Sequence, residues 1–206
     1  MGYSIMKKNY LEIGYKKIGE DYAPLVIAEI AIKHKGSLKN TFEMVDAAYE
    51  TDSEIIKHQT YVIEDEISKV AQKVIPGNTD VSIYNVMSRC ALNEEDETKL
   101  KEYVVISTPF SRSADRLERM GVKAYKLGTG EYNNYTLINH IASFGKTIII
   151  STGMDYIASI SESVEIIEKY GVRYCLLHCT NLYPTPARLG AMIELQKEFR
   201  NAIIGL

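Results

Sequence analysis

The stretch TIIISTGMDYIASISESVEIIEKYGVRYCLLH, residues 147–178, holds the pattern that decides the fold. Apolar runs at 147–151 and 173–178 have the length and composition of buried strands, and between them apolar residues recur at helical spacing from Ile157 onward. Parallel neighbouring strands need a crossover of a dozen or more residues, and this segment is long enough to supply one. The stretch therefore predicts one strand-helix-strand unit of an α/β fold.

The same alternation continues on both sides of this unit and predicts seven strands. They are expected at residues 25–30, 54–59, 104–108, 124–127, 147–151, 173–178 and 202–206. Seven units exceed most doubly wound sheets, so the pattern favours a (β/α)8 barrel over a flavodoxin-like sheet.

Helix signals lie between these strands. Ser37 is a predicted N-cap, and Ser111 is predicted to cap a helix that runs to Met120 and ends at Gly121, a residue that tolerates a left-handed turn. Two sets of residues are expected on single helical faces, namely Leu38, Phe42, Val45 and Tyr49, and Ile157, Ile160, Val164 and Ile167.

The strand pattern also sets the expected domain division. Residues 1–23 are predicted to form an N-terminal cap with a hairpin at 10–17, and residues 24–206 to form the barrel. After Leu206 a closed barrel still needs a helix, the eighth strand and its helix, which is about 50 residues. We therefore expect the barrel to be incomplete at its C-terminal end.

The composition excludes several classes of protein. The 206 residues are 46% apolar and 25% charged, with 24 basic and 27 acidic residues and a formal net charge of −3. This balance is typical of a globular domain and gives no electrostatic sign of nucleic-acid or membrane binding. No signal peptide or membrane span is expected, and three unevenly placed cysteines do not form a disulfide framework. We expect a cytosolic protein with reduced thiols.

Polar residues follow almost every predicted strand. In a parallel barrel the active site lies at the C-terminal ends of the strands. Strand alternation predicts that Lys57 and Gln59 share a face with His58 opposite, and that Lys126 points away from the helices that Tyr125 faces. Two inward lysines require a strongly anionic ligand, such as one with both phosphate and carboxylate groups.

Other chemistry remains open on the residues alone. Lys126 could instead form a Schiff base, as in aldolases. The carboxylates of Glu29 and Glu131 are candidates for orienting a sugar or moving a proton, and either could be a salt-bridge partner of the lysines. His178 is more typical of a hydrogen-bonded core histidine than of a metal ligand.

A series of ordered motifs resembles the bacterial N-acetylneuraminate (sialic acid) synthases and the related legionaminic and pseudaminic acid synthases. The stretches that carry the resemblance, with x for a position that does not count, are PLVIAEI (24–30), HxGSL (34–38), FEMVDAAY (42–49), KHQT (57–60), EDE (64–66), VIPGN (74–78), ALNEEDE (91–97), ISTPFSR (106–112), SFGK (143–146), STGM (151–154) and LHCTNxYPTP (177–186). They run over nearly the whole chain from residue 24.

The resemblance implies a condensation of phosphoenolpyruvate with N-acetylmannosamine that gives N-acetylneuraminate and phosphate. The phosphoenolpyruvate-binding residues it implies are Lys57, Thr108, Lys126, Thr129, Ser151 and Asn181. The sugar-binding residues it implies are Glu29, Gln59, Asn78, Glu131 and Tyr183. Glu131, with Lys126 and Lys57, is the implied catalytic set.

The resemblance also implies a divalent metal, Mn²⁺ or Mg²⁺, and a homodimer. The family's metal-binding histidines would lie beyond Leu206, as would an antifreeze-like domain, so no metal ligand is expected within these residues and the 206-residue chain alone is expected to be inactive. This sequence departs from the family pattern at Lys33, where asparagine is usual, and at Thr129, where serine is usual. A different amino sugar and an inactive barrel-derived interaction protein remain alternatives.

Overall fold

The computed structural model describes residues 9–77, 80–109, 113–153, 156–182, 184–186 and 188–206. These residues divide into two compact units. One contains Leu25–Leu127, and the other contains Met1–Pro24 with Gly128–Leu206. They are called below the 25–127 unit and the 128–206 unit.

The strands confirm the predicted pattern, with ends that differ by up to two residues. A two-stranded hairpin precedes seven further strands in the described residues. Their bounds are β1 Tyr10–Ile13, β2 Lys16–Gly19, β3 Ile27–Ala31, β4 Ile55–Gln59, β5 Val104–Thr108, β6 Ala124–Leu127, β7 Thr147–Ser151, β8 Tyr174–Leu177 and β9 Ile203–Gly205. A hairpin at the predicted position 10–17 is therefore also observed.

Helices lie between the seven strands. Their bounds are α1 Leu38–Glu50, α2 Ile63–Glu66, α3 Ile83–Cys90, α4 Glu94–Lys99, α5 Ser113–Met120, α6 Tyr135–Ala142, α7 Ile157–Lys169 and α8 Gly190–Glu198. Short 3₁₀ turns occur at Ala71–Lys73 and Thr129–Glu131. No helix among the described residues is long and apolar enough to cross a membrane.

Two of the predicted helix signals are confirmed and one cannot be placed. Ser37 caps α1, since its side chain accepts a hydrogen bond from the Asn40 amide. Gly121 ends α5 with φ of +80°, the left-handed conformation that glycine adopts without strain. The predicted cap Ser111 lies outside the described residues.

The predicted face of α1 is partly wrong. Val45 is buried against Ile30 and Ile56, but Tyr49 is 80% exposed. The packed stripe continues one residue earlier, through Ala48. Residue 49 lies only about 40° around the helix from Val45, so its exposure reflects what covers the last turn of α1 and not the helical spacing. On α7 the predicted face is buried at Ile160, Val164 and Ile167, and Ile157 in the first turn is only partly covered.

The 25–127 unit contains four parallel strands in chain order, β3-β4-β5-β6. Their register places Glu29 opposite Lys57, and Gln59 opposite Thr108. A register shift between Glu29 and Ala31 marks a bulge at the end of β3. Polar residues from adjacent strands therefore meet at the C-terminal edge of this unit.

The 128–206 unit contains β7, β8 and β9, also parallel and in chain order. The β1-β2 hairpin belongs to the same unit and contacts β7, where the Thr147 hydroxyl donates to the Glu12 carbonyl at 2.9 Å. Within each unit strand order follows chain order, with helices between the parallel strands. This connectivity is that of a (β/α)8 barrel, whereas a doubly wound sheet reverses its order at a switch point.

Candidate active site

Lys57 is the central residue of β4, and its ammonium group is almost buried. Its side chain is 10% exposed, its Nζ donates to Thr108 Oγ1 at 3.1 Å, and it forms an ion pair with Glu29. A buried ammonium is stable only beside an anion, and Glu29 supplies one. Three predicted site residues, from three neighbouring strands, are therefore brought together.

Glu29 is held from its own strand as well as by Lys57. Its Oε1 accepts a hydrogen bond from the Ala31 amide at 2.8 Å, and Ala31 has φ of +42°, an unfavourable value for a residue with a Cβ. Strained backbone of this kind is concentrated at functional sites. Glu29 was expected on the sugar side of the site, yet it contacts a lysine expected on the phosphoenolpyruvate side.

Lys126 is a second buried lysine at a strand end. It is 8% exposed, and its Nζ donates to the Leu127 carbonyl at 2.7 Å. The preceding residue, Tyr125, donates its hydroxyl to Glu118 on α5 at 2.5 Å. Burial raises the pKa of Tyr125, and the Glu118 carboxylate adds to this. Tyr125 therefore faces α5, as the alternation predicts.

Tyr61 is a site neighbour that sequence reasoning missed. Its hydroxyl donates to Gln59 Oε1. This contact occupies the amide oxygen of Gln59, so the amide nitrogen is the end of the side chain that can donate to another group. Burial raises the pKa of Tyr61, and the nearby carboxylates of Glu66 and Glu29 add to this, so the hydroxyl keeps its proton. Its spacing of two from Gln59 was the available signal, since alternation puts both on one face.

In the 128–206 unit, Gly153 brings two predicted residues together. A Cβ at this position would lie 3.1 Å from Asn181 Oδ1 and 3.2 Å from Thr129 Oγ1. Both polar side chains therefore flank a point that only glycine leaves open. Ser151, two residues earlier at the end of β7, is buried. We call Thr129, Gly153 and Asn181 the glycine cradle.

Glu131 lies in the 3₁₀ turn after the glycine-rich stretch. Its Oε2 accepts from Asn134 Nδ2 at 2.7 Å, and its amide bonds to the Gly128 carbonyl. The carboxylate is partly exposed and is oriented by a neutral amide donor. An open cavity of about 780 Å³ in the same unit is lined by Asn181, His178 and Arg188 among others.

Two predicted sugar-side residues, Asn78 and Tyr183, lie outside the described residues. Within the described part of the chain, no group of three or more His, Cys, Asp or Glu side chains could hold a metal ion.

Comparison with known proteins identifies the family. Residues 44–206 match the NeuB family model. The chain belongs to the NeuB family. N,N'-diacetyllegionaminic acid synthase of Campylobacter jejuni is 30% identical over 195 residues, which cover 85% of this NeuB-family chain and 58% of that protein. N-acetylneuraminate-9-phosphate synthase of Mus musculus is 25% identical over 201 residues, which cover 91% of this NeuB-family chain and 56% of that protein. The NeuB-family chain thus spans little more than half the length of these relatives.

A solved structure confirms the fold class. The N-acetylneuraminic acid (sialic acid) synthetase of Leptospira borgpetersenii, in complex with citrate, superposes with a TM-score of 0.84 at 25% identity. The match covers 96% of this NeuB-family chain and 69% of that one.

Proposed function

We propose that this chain serves the condensation of phosphoenolpyruvate with N-acetylmannosamine, forming N-acetylneuraminate and phosphate. The observation that carries the proposal is the nearly buried ammonium of Lys57, fixed by Thr108 and Glu29 from the two neighbouring strands of a NeuB-family chain. A fixed cation beside a hydroxyl donor binds phosphate or carboxylate oxygens strongly. Lys126 adds a second buried cation to the proposed set.

The reaction needs the positive charges of the lysines because phosphoenolpyruvate carries both a phosphate and a carboxylate group. Its C3 forms a bond to the aldehyde carbon of the open-chain sugar, water adds at C2, and the C2–O bond breaks to release phosphate. Lysine ammonium groups balance the negative charge of the phosphate, and hydroxyl groups donate hydrogen bonds to its oxygens. Both interactions stabilise the phosphate as it departs. The proposed set for this substrate is Lys57, Thr108, Lys126, Thr129, Ser151 and Asn181.

The sugar is proposed to contact a second set of residues, Glu29, Gln59, Asn78, Glu131 and Tyr183. The amide nitrogen of Gln59, oriented by Tyr61, suits a sugar hydroxyl or carbonyl. Glu131 is proposed to handle protons near the reacting carbons. A divalent metal, when bound, would polarise the aldehyde oxygen as a Lewis acid.

The test is phosphate release from phosphoenolpyruvate by the whole protein with N-acetylmannosamine and Mn²⁺. We expect stoichiometric phosphate and N-acetylneuraminate. Borohydride treatment with pyruvate separates this proposal from a Schiff-base aldolase, because only an aldolase would be trapped, at Lys126. Covalent labelling of Lys126 without phosphate release would refute the condensation.

A second candidate substrate is the amino sugar used by legionaminic acid synthases. The relative that favours it is the Campylobacter jejuni protein, at 30% identity against 25% for the Mus musculus synthase. A panel of N-acetylated amino sugars compared by kcat/KM decides between the two. A higher value for a diacetylated amino sugar than for N-acetylmannosamine would favour the legionaminic acid reaction.

A further inference from the structure

A chain of buried polar side chains lies behind β4, on the face opposite Lys57. Its members are His34 in the loop after β3, His58 on β4, Glu97 on α4 and Arg116 on α5. His34, His58 and Glu97 are each at most 1% exposed. The proposed reaction uses none of these groups, so their burial needs another explanation.

Glu97 is the charged centre of this chain. Its Oε1 lies 3.2 Å from His58 Nε2, and its Oε2 accepts from Arg116 Nη1 at 3.0 Å. A buried carboxylate is strongly destabilising unless both oxygens are satisfied. Here both oxygens of Glu97 accept a hydrogen bond, one from Arg116 and one from His58, whose Nε2 carries the hydrogen.

His34 continues the chain toward the end of β3. The Gly36 amide donates to His34 Nδ1 at 3.1 Å, so Nδ1 carries a lone pair and the ring is neutral with hydrogen on Nε2. Burial lowers the pKa of His34, and the neighbouring His58 lowers it further. The two rings lie 5.5 Å apart between centroids.

The main chain of β4 is fixed on the same outer face. The Ser107 hydroxyl donates to the His58 carbonyl at 3.0 Å, and the Thr60 and Ser107 hydroxyls are 3.2 Å apart. Residues 58 and 60 are thus anchored behind the strand. Since alternate residues share a face, Lys57 and Gln59 are presented in front.

We propose that Glu97 is a positioning residue for Lys57, acting through His58 and the main chain of β4. Apolar packing behind a strand resists separation but fixes rotation weakly, whereas directional hydrogen bonds to a buried carboxylate select one arrangement. Both oxygens of Glu97 have such partners in His58 and Arg116, while His34 Nε2 and His58 Nδ1 are buried and have no hydrogen-bond partner among the described residues. The Glu97–His58 contact therefore sets the angle at which Lys57 meets Thr108 and Glu29. This inference rests on the proposed role of Lys57 in binding phosphoenolpyruvate.

The first test is Glu97→Gln in the whole protein, with Glu94→Gln as matched control. Glu94 lies on the same helix and also approaches Arg116, at 3.8 Å, but it is half exposed. Because small misplacements of binding groups carry large kinetic penalties, we expect KM for phosphoenolpyruvate to rise about 10-fold in Glu97→Gln with little change in kcat. Glu94→Gln should leave both unchanged.

A ring-nitrogen NMR measurement reports on the contact itself. In Glu97→Gln the new amide nitrogen can donate to His58 Nε2 while the amide oxygen still accepts from Arg116. That exchange moves the ring hydrogen of His58 from Nε2 to Nδ1. A shift of the tautomer together with the rise in KM supports positioning through His58.

A second pair of variants keeps the proposal testable if Glu97→Gln does not fold. His58→Gln retains a donor near the Nε2 position and should keep KM within about twofold, whereas His58→Leu has no donor and should raise KM about 10-fold. Equal KM values in these two variants, or an unchanged KM in folded Glu97→Gln, overturn the inference. If the wild-type protein itself neither binds phosphoenolpyruvate nor releases phosphate, the proposed function fails instead.

Discussion

At the scale of single residues, the chemistry depends on charges that the fold keeps out of water. Lys57 is nearly buried and has one anion and one hydroxyl at its ammonium group. Tyr61 stays protonated and turns the amide of Gln59. The position and protonation of each group therefore depend on its immediate partner. Removing one such group should change a specific property, such as substrate binding or stability.

Replacing Lys57 with Met removes the fixed cation while keeping most of the side-chain volume. We expect binding of phosphoenolpyruvate to weaken about 100-fold, since hydrogen bonds to charged groups contribute about 1.5–3 kcal/mol each. Calorimetric titration of the whole protein measures this. Lys123→Met, at an exposed position just before β6, is the control. Similar affinity in the two variants would contradict the assigned role.

His34 should make stability depend on pH. Its folded pKa is lowered by burial and by His58, so below the unfolded value, about 6.5, the unfolded chain gains a proton that the folded chain does not. The contribution of His34 to the free energy of unfolding is therefore intact above about pH 6.5. It is lost as the pH falls from there toward the lowered pKa of the folded protein. The groups in contact with or close to His34 are His58 and Glu97.

Urea unfolding between pH 5 and 8 measures this dependence. His34→Asn keeps an acceptor for the Gly36 amide but does not titrate, so its stability should fall less steeply with acid than that of the wild type. If the free energy of unfolding falls equally steeply with acid in both proteins, His34 does not contribute to the pH dependence of stability.

At the scale of elements, the ends of parallel strands bring polar groups together. The glycine cradle forms because β7 ends beside the segment after β8, and residue 153 lacks a side chain there. On β3 the bulge and the left-handed Ala31 direct Glu29 to Lys57. Small backbone features at strand ends thus decide where side chains meet.

Gly153→Ala should test the cradle. The new Cβ would lie 3.1 Å from Asn181 Oδ1 and 3.2 Å from the Cys179 carbonyl, closer than ordinary packing allows. We expect a loss of stability of about 1–3 kcal/mol and weaker phosphoenolpyruvate binding, because Asn181 and Thr129 must move. Gly190→Ala is the control, since nothing lies within 4 Å of its Cβ position. Unchanged binding in Gly153→Ala would show that the cradle does not hold substrate.

At the scale of the whole molecule, this NeuB-family chain covers 58% of the Campylobacter jejuni legionaminic acid synthase. No metal cluster occurs in the described residues. We predict that activity of the whole protein is lost after chelation and is restored by Mn²⁺ or Mg²⁺, with phosphate release as the measurement. A chelated protein with full activity would contradict the metal requirement, and light scattering would test the predicted homodimer.

Periodic patterns made much of the fold predictable. All seven strands were placed because buried strands are short apolar runs and helices repeat at 3.6 residues. The strand ends were less accurate, and Tyr49 was assigned to a buried face although it is exposed. A pattern shows which residues can share a face, but the packing partner decides which of them is covered.

The sequence by itself determined the (β/α)8 class and the alternation that sets Lys57 opposite His58, because both follow from local periodicity. Only the tertiary structure decided that Glu29 pairs with Lys57, that Gly153 separates Thr129 from Asn181, and that Glu97 joins His58 to Arg116. Those partners are tens of residues apart in the chain. Their meeting depends on strand register and helix packing, which no local pattern encodes.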